Sequence, residues 1–160
     1  MTLKVGDKLP SANLAVKGKD DLEFINSDEI FKGKKVVLFA LPGAFTPTCS
    51  AAHLPGFVVH HDAIKAKCAD TIACLSVNDA WVMDAWGKSQ NVDDNILMLS
   101  DGNCEFTRAI GLEVDLSVRN YGIRSQRYSM IVEDGVVTRL NVEDGPAFEV
   151  SNAETILEQL

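Results

Sequence analysis

Two apolar runs, Val36-Val37-Leu38-Phe39-Ala40 and Ile72-Ala73-Cys74-Leu75-Ser76-Val77, leave this chain few ways to fold. Runs with so little polar interruption suit central strands of a sheet covered on both faces. Between them Leu54, Phe57, Val58, His61 and Ile64 recur at helical spacing, so the connection is a crossover helix with one face against the sheet. The unit is βαβ, and its two strands are expected as neighbours in a largely parallel sheet. Its helix is predicted to start near Thr46-Pro47, with Thr as N-cap and Pro at the first helical position. Pro55 cannot donate a backbone hydrogen bond, so a kink or break is expected there.

Downstream, Asn78 or Asp79 can cap a helix carrying Trp81, Val82, Ala85 and Trp86, with Gly87 helping to end it. Both tryptophans are expected in the core or at a subunit contact. A short strand, Ile96 to Leu99, precedes the turn Asp101-Gly102-Asn103 and a short helix through Phe106 and Ile110 that Gly111 can close. After a stretch of mixed character, Arg127–Val132 and Val136–Val142 flank Glu133-Asp134-Gly135 as an antiparallel hairpin. Ser151-Asn152-Ala153-Glu154 has the form of a capping box for a final helix. This order of elements is that of a thioredoxin-like α/β fold, although pattern alone leaves other α/β topologies open. At 160 residues and 46% apolar content, one domain over residues 1–160 is the expectation.

A formal charge of −8 disfavours nucleic acid, whose phosphates need clustered Lys and Arg. No apolar run is long enough to cross a bilayer, and the N-terminus shows no apolar stretch after a basic start, which reads as a soluble, cytoplasmic protein. Cys49, Cys68, Cys74 and Cys104 stand far apart without any Cys-x-x-Cys, so thiols are expected rather than cross-links. Cys49 with His53, His60 and His61 is the only Cys/His cluster in the sequence, and its spacing does not suit a structural zinc; no metal is expected.

Cys49 falls in the first turn of the crossover helix, beyond the carboxyl end of the first central strand, where ligands of open α/β sheets bind. The free N–H groups and dipole of a helix start favour negative charge and commonly lower a cysteine's pKa. The segment Pro42-Gly43-Ala44-Phe45-Thr46-Pro47-Thr48-Cys49 resembles the Pro-x-x-x-Thr-x-x-Cys signature of peroxiredoxins, in the form of the type II, or peroxiredoxin-5-like, subfamily. The similarity continues through Ala52–Phe57, Cys74–Asp79, Asp101-Gly102 and Arg127–Met130, and so runs over almost the whole chain.

The resemblance implies a thioredoxin-like fold, a central mixed sheet flanked by helices, and a thiol peroxidase that reduces hydrogen peroxide and alkyl hydroperoxides without a cofactor. Carried over by position, Cys49 is the peroxidatic nucleophile and passes through a sulfenic acid. Thr46 supplies a hydroxyl to thiolate and peroxide, Pro42 shields the pocket, and Arg127 is the distant arginine, whose guanidinium stays charged and can donate to both sulfur and peroxide. Backbone N–H groups of Thr48 and Cys49 would face the departing oxygen. A homodimer through the loop holding Phe45 and Pro47 is also implied. The resolving cysteine that some members carry before the last helix is absent from Ala147–Ser151, while others use a cysteine placed like Cys74. One-cysteine behaviour with glutathione and glutaredoxin, or thioredoxin, as reductant is preferred, and a Cys49–Cys74 disulfide stays open. Readings from other classes are a binding or chaperone-like module on the same fold, a cysteine hydrolase, disfavoured because His53 is not obviously aimed at Cys49, and a disulfide oxidoreductase, disfavoured for want of a second thiol.

Overall fold

In the computed structural model, which describes residues 2–160, seven strands form one mixed sheet. β1 (Asn13–Lys17) and β2 (Leu22–Asn26) precede a short helix α1 (Ser27–Phe31) and the first central strand β3 (Lys35–Ala40). A π-helical turn, Cys49–His53, runs directly into α2 (Leu54–Ala66), which leads to β4 (Thr71–Ser76), α3 (Ala80–Ser89), β5 (Leu97–Ser100) and α4 (Glu105–Ala109). β6 (Glu113–Asp115) and β7 (Ile123–Ser125) pair as a separate ribbon, followed by the hairpin β8 (Tyr128–Glu133) and β9 (Val136–Val142) and the last helix α5 (Ala153–Gln159). The spatial order is β2-β1-β5-β4-β3-β8-β9. β3, β4 and β5 are parallel, whereas β8 joins the other side of β3 antiparallel, which makes the sheet mixed.

β3 and β4 are buried from their second residue onward, as their unbroken apolar runs require. Because side chains alternate along a strand, Val36, Leu38 and Ala40 pack with Phe31, Phe106 and Met130 on one face. Val37 and Phe39 pack on the other with Leu54, Phe57, Trp86 and Ile156 from α2, α3 and α5. Cys49 and Cys74 both belong to this second cluster. At the hairpin tip Asp134 (φ 48°) and Gly135 (φ 79°) are both left-handed, which suits the right-handed strand twist and explains why the Asp-Gly pair marked the turn.

Several local expectations are corrected. Helical backbone does begin at Pro47, yet Thr46 is no side-chain cap, because its hydroxyl donates to the Gly43 carbonyl at 2.6 Å. Pro55 does not interrupt the helix: the wide turn before it, closed by Leu54 N–H to Cys49 O, fits its ring and missing N–H into a continuous chain path. Gly87 lies inside α3, where a Cβ would stand 3.0 Å from Met98 Cγ, so close packing and not termination places a glycine there. Trp86 is buried, but Trp81 is half exposed and outside the core. The cap of α5 is Asn152, which accepts from Thr155 N–H, because Ser151 is engaged by Glu143. The β1–β2 hairpin and the β6–β7 ribbon had no counterpart in the sequence reading.

Candidate active site

The site stands where β3 ends and the crossover helix begins. Leu41 to Thr46 carry the chain from the sheet to Pro47, and the first helical backbone bond is Ser50 N–H to Thr46 O at 2.9 Å. The N–H groups of Thr48 and Cys49 therefore have no acceptor within the helix and are available to an anion or a polarised oxygen. Trp86 Nε1 donates to Ser50 Oγ at 3.0 Å and Gln90 Nε2 to Ser50 O at 3.2 Å, which ties this turn to α3.

Arg127, the residue before β8, reaches the sulfur across the sheet end, with Nη2 donating to Cys49 Sγ at 3.2 Å. Its Nη1 meets His53 Nδ1 at 3.0 Å, and its guanidinium lies 5.8 Å from the Phe148 ring centroid. Arg127 is 8% exposed and Cys49 1%, and among the described residues no carboxylate comes within ion-pair distance of the guanidinium. A buried cation without a carboxylate is costly unless other acceptors face it, and the Cys49 sulfur and the His53 ring are the groups so placed.

The network fixes the protonation of His53. A guanidinium has donors only, so Nδ1 facing it must be the lone-pair nitrogen; Nε2 then carries the proton and donates to Ser151 O at 3.0 Å. Burial, and next the charge of Arg127, push the His53 pKa down to about 3. Between pH 3 and 6.5 the unfolded chain thus binds a proton that the native ring refuses, so stability falls as the solution is acidified. From pH 6.5 to 5 this ring alone is expected to cost about 2 kcal/mol, read as a falling urea midpoint that a His53→Asn variant does not show.

Ser151 is itself held. Glu143 accepts from the backbone N–H groups of Glu149, Val150 and Ser151 and from the Ser151 hydroxyl, at 2.6–3.0 Å. Burial works to raise its pKa, but the Ser151 hydroxyl and these backbone donors outweigh it and keep Glu143 below the usual carboxylate range.

A cavity of about 340 Å³ opens over Thr48 and Arg127, the neighbours of the buried Cys49, and is also lined by Pro42, Thr46, Leu116 and Tyr121 among others. Pro42, Thr46 and Arg127 thus line this one cavity. The Thr46 hydroxyl makes no hydrogen bond to Cys49, its proton being given to Gly43 O. Cys74 lies in β4 opposite Phe39 of β3, fully buried, and burial, followed by the charge of Cys49, drives its pKa up. Cys104, also buried, is raised by burial and by Asp101, and Cys68 is exposed at the end of α2.

The tie of His53 to Arg127, and Arg124 altogether, escaped the sequence reading. His53, set aside in the sequence as not obviously aimed at Cys49, is four residues past it, a spacing that puts both on one side of a helical turn, and Arg127 bonds both of them. Arg124 donates from Nη1 to Pro42 O at 3.1 Å and packs over Gly43, where a Cβ would stand 2.8 Å from Nη1 and push the guanidinium aside. No motif distinguished it from other arginines.

A sulfur at a helix start, met by a buried guanidinium on a thioredoxin-like sheet, defines a thiol-dependent peroxidase, an oxidoreductase. The sequence profile of the redoxin family matches residues 4–157. Peroxiredoxin-2E-2, chloroplastic, of Oryza sativa subsp. japonica is 51% identical over 99% of this chain and 73% of its own length, and peroxiredoxin-2E, chloroplastic, of Arabidopsis thaliana is 47% identical over 99% and 70%. The crystal structure of reduced Prx3 of Vibrio vulnificus in complex with H2O2 superposes with a TM-score of 0.95 at 56% identity, covering 99% of each chain. The chain belongs to the redoxin family and, within it, to the type II peroxiredoxins. One expectation is overturned: the two plant relatives are chloroplastic, so cytoplasmic residence does not follow. That expectation rested on the absence of an apolar N-terminal run, which bears on export and bilayer crossing but not on organelle.

Proposed function

We propose that residues 1–160 act as one domain that reduces hydrogen peroxide and alkyl hydroperoxides at Cys49. The observation that carries this reading is the buried Arg127 guanidinium, which has Cys49 Sγ at 3.2 Å and no carboxylate partner among the described residues. The Cys49 thiolate attacks one peroxide oxygen; the O–O bond breaks, the second oxygen leaves as water or an alcohol after taking up a proton, and Cys49 becomes a sulfenic acid. Arg127 and the N–H groups of Thr48 and Cys49 stabilise charge on the separating oxygens. Thr46 orients its hydroxyl by donating to Gly43 O, which leaves its lone pairs toward the peroxide, and Pro42 keeps water off the sulfur.

Two equivalents of an external thiol then reset the enzyme. The first displaces water from the sulfenic sulfur to give a mixed disulfide, and the second releases Cys49. Glutathione with glutaredoxin, or thioredoxin, serves this step. The buried, proton-retaining Cys74 supports external over internal resolution, since only a thiolate attacks. A homodimer through the loop of Phe45 and Pro47 fits the exposure of Phe45, 57%, at φ 62°. Intact-mass analysis after one equivalent of peroxide is expected to show one added oxygen at Cys49, discharged by glutathione or thioredoxin. A Cys49–Cys74 crosslink as the main product would overturn the one-cysteine mechanism.

A further inference from the structure

We infer that His53 is a positioning residue for peroxide reduction, holding the Arg127 guanidinium against Cys49 by accepting from Nη1 while Nη2 faces the sulfur. This rests on the reading of Cys49 as the reacting thiol. An arginine with no carboxylate to fix its fork keeps its rotamer only if other acceptors do so. Here one hydrogen bond aims the fork, and the Phe148 ring, 5.0 Å from the His53 ring and 5.8 Å from Arg127, covers both.

His53 in turn is set from both sides. The π turn places it beside Cys49, and Ser151 O fixes its Nε2. The titratable and charged groups around it are Arg127 from before β8, Cys49 from its own turn, and Glu143 behind Ser151. A neutral ring suits the task and a protonated one does not, because a second cation 3.0 Å from the guanidinium would expel it. No nitrogen of the ring is left as a base toward a substrate.

Two amide substitutions separate positioning from mere packing. In His53→Asn the side-chain oxygen can take the place of Nδ1 and accept from Arg127, whereas in His53→Gln the longer amide reaches where Nε2 stood and keeps the tie to Ser151. The second-order rate constant with H2O2, followed by stopped flow, is expected to fall roughly tenfold to a hundredfold in His53→Gln, the loss of one bond to a charged group, and to be largely recovered in His53→Asn. The acid limb of the rate against pH should move to higher pH in His53→Gln alone. Equal rates in both variants, or a faster His53→Gln, would overturn the inference, since a structural role favours the variant that keeps the Ser151 bond. Should His53→Asn not fold, the pH profile of His53→Gln decides, and an unmoved acid limb overturns it. Turnover by Cys49→Ser would sink the underlying reading instead; a dead Cys49→Ser beside a fully active His53→Gln sinks only the role of His53.

Discussion

Cys49→Ser is expected to consume peroxide at the rate of buffer alone, a loss of more than roughly a thousandfold, with the fold intact. A serine hydroxyl fills the same space, but it does not ionise at neutral pH beside the same guanidinium, so the site keeps its shape and loses its nucleophile. Arg127→Lys should fall between this variant and the native protein. It keeps a charge yet cannot reach Cys49 Sγ and His53 Nδ1 together with a planar fork, as Nη2 and Nη1 do at 3.2 and 3.0 Å. Stopped-flow rates with H2O2 for the three proteins give the comparison; parity of Cys49→Ser with the native chain would remove the cysteine from the chemistry, and parity at the rate of buffer alone would favour a pure binding module, which has no turnover to lose.

Glu143→Ala is expected to lower stability by about 3 kcal/mol, because three backbone N–H groups and the Ser151 hydroxyl lose one buried acceptor together. The native carboxylate has a depressed pKa, so its contribution is fully present above the ordinary glutamate value and is lost as pH falls through the lower, native one. Urea melts at neutral pH should therefore separate the two proteins widely, and melts in strong acid should bring them together. Since Ser151 O anchors His53, the variant should also react more slowly with peroxide even where it is folded. A melt indistinguishable from that of the native chain would mean that water replaces the carboxylate without cost.

The sequence spoke clearly where one physical demand acted alone. β3 and β4 are buried on both faces and so carry continuous apolar runs; Asp134-Gly135 needs positive φ twice and so announces its turn. β1, with its partly exposed faces, and the three-residue strands β6 and β7 leave too short a pattern to rise above a loop. Cys49 stood out by its place at a helix start as well as by its motif, whereas Arg127 was visible only as part of the motif, since nothing in residue 127 by itself says that it crosses to residue 49. Glu143 was hidden for another reason: most of its partners are backbone N–H groups of residues 149–151, which carry no side-chain signature, and the same holds for the bond of His53 to Ser151 O. Arg124 likewise bonds the carbonyls of Pro42 and Tyr121.

The indole of Trp86, buried and bonded to the hydroxyl next to Cys49, makes the protein its own optical gauge. A chemical change at the sulfur that loosened the first helical turn would free that indole, so a shift in its emission is the expected label-free sign of such a change, over the steady background of half-exposed Trp81.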